Sequence, residues 1–228
     1  MTLYSQGQDK NIILYVILFY NFMGEKNLFQ QLTKTDKITV ILYRAGIVLS
    51  AGIIVMLGLL ACSILFSNNL AYPVLQNGPA MTILLFCFYF SVGLSVFFIH
   101  LYIGKLYMFL KRIYYLATGC LIALTVLGSG NPVAPLLTMP VCSFLLIPIV
   151  FCLGFVTAKE AFCFRLFEGY LLFALMPAYL VFTAAGILTR QGILVGIMVI
   201  AALLVVFTLR KVFMPLHFDI GDKSAYIP

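Results

Sequence analysis

"GILVGIMVIAALLVVFTL", residues 192–209, runs for eighteen residues without a charge and ends against Arg210 and Lys211. A membrane-spanning helix needs about 20 predominantly apolar residues, because the hydrocarbon core is about 30 Å thick and a helix rises about 1.5 Å per residue. Working back along the chain, five more stretches meet the same test, at about 170–188, 136–157, 113–129, 81–103 and 45–66. The run at 113–129 is the shortest and has room to begin earlier, with Lys111 and Arg112 snorkelling to the headgroups. The expected fold is all-α: a polytopic membrane protein of six transmembrane helices.

Composition leads to the same class. Of 228 residues, 64% are hydrophobic and only 9% are charged, against a charged share of about 25% in soluble domains. Tryptophan is absent, so an interfacial aromatic belt falls to the 13 tyrosines. The net charge of +7 is scattered over several helix ends, which excludes a nucleic-acid groove. The lipid bilayer is the first partner. A membrane-protein partner or a second copy of the chain is the next.

The connections between runs alternate in character. Residues 67–80 and 130–135 carry no charge, and 189–191 carries one cation, Arg190. Every other basic residue, 13 of the 14, falls on the opposite set of connections: Lys10, Lys26, Lys34, Lys37, Arg44, Lys105, Lys111, Arg112, Lys159, Arg165, Arg210, Lys211 and Lys223. The positive-inside rule then places both termini in the cytoplasm or its plastid equivalent. The expected organisation is a cytosolic segment at 1–37, a six-helix membrane domain at 38–212 and a cytosolic tail at 213–228. The apolar run at 12–23, "IILYVILFYNFM", is too short to span. It reads either as an interfacial segment or as sequence upstream of a translation start at Met23.

Gly46 with Ser50, and Gly192 with Gly196, place small residues one turn apart where helices can touch, within the chain more readily than between copies. Pro140 and Pro148 in the fourth run and Pro177 in the fifth are expected to kink their helices. Cys62, Cys87, Cys120, Cys142 and Cys152 lie in apolar runs and read as small hydrophobes; only Cys163 stands among charges.

None of the six runs holds an Asp, Glu, Lys, Arg or His near its middle, which argues against a proton pump or a charged ion filter. The motifs of zinc proteases, di-iron carboxylate sites and phosphate-binding loops are missing, and no cofactor is indicated. Polar chemistry is confined to the cytosolic rim. "KEAFCFRLFE", residues 159–168, carries Lys159, Glu160, Cys163, Arg165 and Glu168 between the fourth and fifth runs. Tyr43 and Arg44 open the first run, His100 closes the second, and the tail offers His217, Asp219, Asp222 and Lys223. If 158–168 continues as a helix, Glu160 shares a face with Cys163 and, through Phe164, with Glu168. The candidate rim site is therefore Arg44, His100, Lys159, Glu160, Cys163, Asp219, Asp222 and Lys223. The same charges also serve simply to orient the protein and to complement helix ends. As metal ligands they are unspaced in sequence, and no metal site is assigned.

"LYRAG", "FFIHLY", "KEAFCF" and "DIGDKS" occur in that order and together resemble an uncharacterised family of integral membrane proteins of bacteria and plastids, a domain of unknown function. The likeness runs from about residue 33 to 226. It implies the same helical membrane fold, a bacterial inner membrane or equivalent plastid membrane as the location, and motif positions at the eight rim residues. It implies no activity. Three functions fit the sequence: a non-enzymatic scaffold or assembly protein docking through its cytosolic rim; a carrier for a small neutral or amphipathic solute; and a membrane enzyme acting on a lipid or quinone through Cys163 or His100. The balance leans away from an enzyme.

Overall fold

A computed structural model describes residues 33–66, 78–101 and 103–219. The apolar run at 12–23, the start at Met23, most of the 67–80 connection, and Asp222 and Lys223 lie outside the described residues. Six helices are long and apolar enough to cross a membrane, and there is no strand among the described residues.

The first helix, α1 (Lys34–Phe66), is 33 residues long, about 50 Å at the usual rise. It begins eleven residues before the apolar run at 45–66, because Thr33 and Asp36 cap it reciprocally: the Thr33 amide donates to Asp36 Oδ2 at 2.9 Å and the Asp36 amide to Thr33 Oγ1 at 3.2 Å. Next come α2 (Gly78–Phe98) and α3 (Gly104–Leu127). The latter takes in Lys111, whose ammonium lies 4.1 Å from the centroid of the Tyr107 ring and 5.4 Å from that of Phe97. This cation–π contact lets the helix extend back through the cations.

The fourth run is not one kinked α-helix. A short helix α4 (Val133–Thr138) is followed by a 3-10 segment, Pro140–Leu146, and then by α5 (Ile147–Phe164). Pro140 and Pro148 each stand in the first turn of a new element, where a missing amide proton removes no hydrogen bond. The expected kinks are element starts. Only Pro177 lies inside its helix, α6 (Phe167–Ala184). The last span is α7 (Arg190–Val212), capped by the Thr189 hydroxyl, which accepts from the Gly192 amide at 3.1 Å. A 3-10 turn, Leu216–Asp219, follows it.

The charged stretch at 159–168 is helical almost throughout. α5 runs to Phe164, Arg165 takes a left-handed conformation with φ 54° and ψ 43°, and α6 starts two residues later. This tight reversal packs α5 and α6 closely: a Cβ at Gly169 would lie 2.8 Å from Ala161 Cβ. α1 packs most extensively on α7 and α2, and α5 on α6. Gly46 and Gly196 serve contacts inside the chain. A Cβ at Gly46 would lie 2.6 Å from the Ser91 carbonyl oxygen, and one at Gly196 would lie 2.6 Å from the Tyr179 ring. The core runs along the bundle axis through Ile47, Val92, Leu110, Leu153, Leu172 and Leu204.

Candidate functional site

At the basic end of the bundle, α1, α5, α7 and the 3-10 turn bring five charged side chains into one buried chain. Lys159 Nζ donates to Glu160 Oε1 at 2.8 Å. The other oxygen of Glu160 pairs with the Lys211 ammonium, which also pairs with Asp219 Oδ1. The second oxygen of Asp219 accepts from Arg44 Nε at 2.7 Å. Signs therefore alternate as Lys159, Glu160, Lys211, Asp219, Arg44, with three cations to two carboxylates. Glu160 and Lys211 are fully buried.

Neighbouring groups complete the coordination. The Tyr43 hydroxyl donates to Glu160 Oε1 at 2.6 Å, and the Lys211 ammonium lies 4.2 Å from the centroid of the Phe164 ring. Arg44 has a second task. Its Nη1 donates to the carbonyls of Met214 at 2.6 Å and Val212 at 3.3 Å, and its Nη2 to that of Pro215 at 3.1 Å. Those carbonyls lie at and just beyond the C-terminus of α7, where helix carbonyls lack intrahelical partners and a cation is favoured. Arg44 is thus a cap contributed by the first helix to the last. The Arg44 hydrogen bond and the Lys211 ammonium outweigh the burial of Asp219 and hold its carboxyl below the usual range.

His100 sits beside this chain, with its Nε2 3.4 Å from the Thr39 hydroxyl. That hydroxyl already donates to the Asp36 carbonyl at 2.9 Å, so its oxygen is left to accept and the imidazole proton belongs on Nε2. Burial, reinforced by the nearby Lys159 ammonium, pushes the His100 pKa down.

Of the eight rim residues chosen from sequence, Arg44, Lys159, Glu160 and Asp219 are brought into direct contact through one another and Lys211, and His100 borders them. Cys163 stands one turn beyond Glu160 but is exposed, whereas Glu160 is fully buried. Glu168 does not join Glu160 on one helix face, since the chain reverses between them. It takes its own cation, with both oxygens accepting from Arg210 Nη1 at 2.8 and 2.9 Å. Among the described residues no three of His, Cys, Asp and Glu are placed to hold a metal ion.

Lys211 is the member that the sequence reading counted only as an orienting charge. The signal was the adjacent pair Arg210–Lys211 at the end of α7. Successive helical residues point about 100° apart, so the two cations face different neighbours: Arg210 meets Glu168, and Lys211 turns inward.

Six apolar helices closed at one end by a buried ion chain define a polytopic helical membrane protein. The chain belongs to the family described as Uncharacterized integral membrane protein (DUF2301), whose model matches residues 94–227. No curated protein and no solved structure matches it.

Proposed function

We propose that this is a non-enzymatic membrane scaffold or assembly protein that docks a partner membrane protein, or a second copy of itself, through its charged end. That end faces the cytoplasm or its plastid equivalent together with both termini, in a bacterial inner membrane or the corresponding plastid membrane. The distribution of Lys and Arg supports this orientation. The observation that carries the docking reading is the division of labour at this end. The buried charges pair with one another inside the bundle. Around them Phe162, Phe167 and Phe213, at 79%, 69% and 82% exposure, stand out with Arg165. Exposed aromatic residues beside an arginine are the composition of an interface anchor.

The test is purification of the tagged protein from its own membranes in mild detergent, comparing the natural chain with a Phe162→Ser, Arg165→Glu, Phe213→Ser variant. A stoichiometric partner or dimer that the variant loses while keeping its fold supports docking. Retention of every partner by a folded variant, or a monomer without any partner, ends it. Glu160 is the wrong probe, because its removal would damage the fold itself.

One observation favours the carrier reading as a second possibility. A cavity of about 230 Å³ lies within the bundle, bounded by Ile54, Leu57, Met81, Phe88, Met176 and Ile200 among others and almost wholly apolar. It suits a small neutral solute. Filling it with Ile54→Phe would abolish uptake of such a solute by reconstituted vesicles and leave docking intact.

A further inference from the structure

α2 and α3 follow one another in sequence, yet α2 packs far more on α1 than on α3. Between α2 and α3 runs a groove of about 510 Å³, lined by Phe86, Phe90, Tyr114, Thr118, Ile122 and Thr125 among others. Phe86, Phe90 and Ile122 are exposed on its walls. Its hydroxyl protons are spent inside the chain. Tyr114 donates to the Tyr89 carbonyl at 3.1 Å, Thr118 to the Tyr114 carbonyl at 3.0 Å, and Thr125 to the Leu121 carbonyl at 2.8 Å, while the Tyr89 phenol oxygen has no accessible surface. A polar solute would find no free donor here and would strand its own polar atoms. Hydrocarbon strands none.

The groove has a charged end. Lys111, Tyr114, Thr118, Ile122 and Thr125 recur at intervals of three and four along α3 and so share one face. The Lys111 ammonium lies over the Tyr107 and Phe97 rings, and Phe97 meets the Tyr114 ring edge-on with centroids 5.5 Å apart. The cation therefore stands one aromatic layer from the groove wall. Arg112 is next to it and exposed, and Lys105, also exposed, lies about two turns earlier. Unlike Arg44, Lys159, Arg210 and Lys211, these cations have no carboxylate partner among the described residues. The rings hold Lys111 without neutralising it.

Length and charge together name the occupant. Lys111 precedes Thr125 by fourteen residues in α3, about 21 Å, which is more than half of a hydrocarbon core about 30 Å thick. One extended chain anchored beside Lys111 would run the length of the groove. We propose that the α2–α3 groove binds an anionic glycerophospholipid, its phosphate held by Lys111 and Arg112 and one acyl chain laid along Phe90, Tyr114, Thr118 and Thr125. Cations at a membrane edge favour anionic lipids over zwitterionic ones. This surface is separate from the docking surface, since Phe162, Phe167 and Phe213 belong to α5, α6 and the end of α7.

The test titrates the full chain in neutral detergent with phosphatidylglycerol or phosphatidylcholine carrying identical chains, and counts bound lipid by native mass spectrometry. Phosphatidylglycerol is expected to bind about ten-fold tighter. Lys111→Gln with Arg112→Gln should bring it down to the phosphatidylcholine level, and Lys111→Arg should keep the preference. Arg112→Gln alone changes only an exposed position, so its loss of part of the preference is readable even if the double variant does not fold. Thr118→Phe fills the groove away from the cations and should weaken both lipids. Equal affinity for the two lipids overturns the proposal, as does full preference in Arg112→Gln or unchanged binding in Thr118→Phe. Competition by glycerol phosphate as strong as that of the intact lipid also overturns it, because the site would then take a free anion.

Discussion

Lys211 of α7 and Glu160 of α5 meet as a fully buried ion pair, and each is shared with a second partner of opposite sign. Burying one such pair gains little over an apolar contact, because desolvation offsets the attraction. Removing one member is another matter.

Lys211→Met would leave Glu160 with Lys159 alone and Asp219 with Arg44 alone. The expected cost is about 3–5 kcal/mol, the usual penalty for breaking a buried ion pair by removing one partner, read as a fall in thermal unfolding temperature in detergent. Adding Glu160→Gln should cost less than its own single effect, since its contact with Lys211 is already gone. Strict additivity would contradict the coupled chain.

Arg44→Lys keeps the charge and discards the fork that reaches Asp219 and three carbonyls at once. An ammonium cannot reproduce that set. Amide exchange at Met214–Asp219 is expected to quicken at least ten-fold while the centre of α7 stays protected. Unchanged exchange would remove Arg44 as the cap.

Two acid transitions should separate. His100 has its pKa lowered from 6.5 by burial and by Lys159. Below pH 6.5 the unfolded chain takes up a proton that the folded one refuses, and stability falls until the folded imidazole also protonates. Asp219 has its carboxyl lowered from 3.8 by Arg44 and Lys211 against its burial. Its contribution is complete above pH 3.8 and is lost as pH drops through the folded value. His100→Gln should erase only the upper slope and Asp219→Asn only the lower one in unfolding measured against pH.

Gly46→Ala would force a methyl group to within 2.6 Å of the Ser91 carbonyl oxygen, whereas a Cβ at Gly52 meets nothing within 4 Å. Overpacking of this kind costs about 1–3 kcal/mol. Gly52→Ala in the same helix should be neutral or slightly stabilising. Thermal unfolding of the two variants makes the comparison, and equal effects would count against the α1–α2 contact.

Cys163 is exposed at the charged end. If that end is cytoplasmic, a membrane-impermeant maleimide should label it in inside-out vesicles and spare it in right-side-out ones. The reverse pattern would invert the proposed orientation.

Apolar length made the six spans readable, since nothing but a bilayer accommodates so many charge-free residues in a row. The ends were harder. A hydropathy run stops at its first charge, but a helix does not stop where a charge finds a partner. Lys159 and Glu160 therefore looked like a loop and proved to be the last turns of α5, and α1 starts at its Thr33–Asp36 cap. Pro140 and Pro148 were read as kinks because position within a helix depends on where the helix begins. Four of the five members of the ion chain were visible: Arg44, Lys159, Glu160 and Asp219 stood out as rim residues, while nothing in one dimension distinguishes a lysine facing headgroups from Lys211 facing inward.

The cap that Arg44 places on α7 also imposes an order on synthesis. Arg44 leaves the ribosome long before its acceptors at Val212, Met214, Pro215 and Asp219 exist, so during five successive insertions its guanidinium must stay hydrated at the membrane surface. A nascent chain stalled before residue 212 carries an unsatisfied arginine that the finished molecule hides.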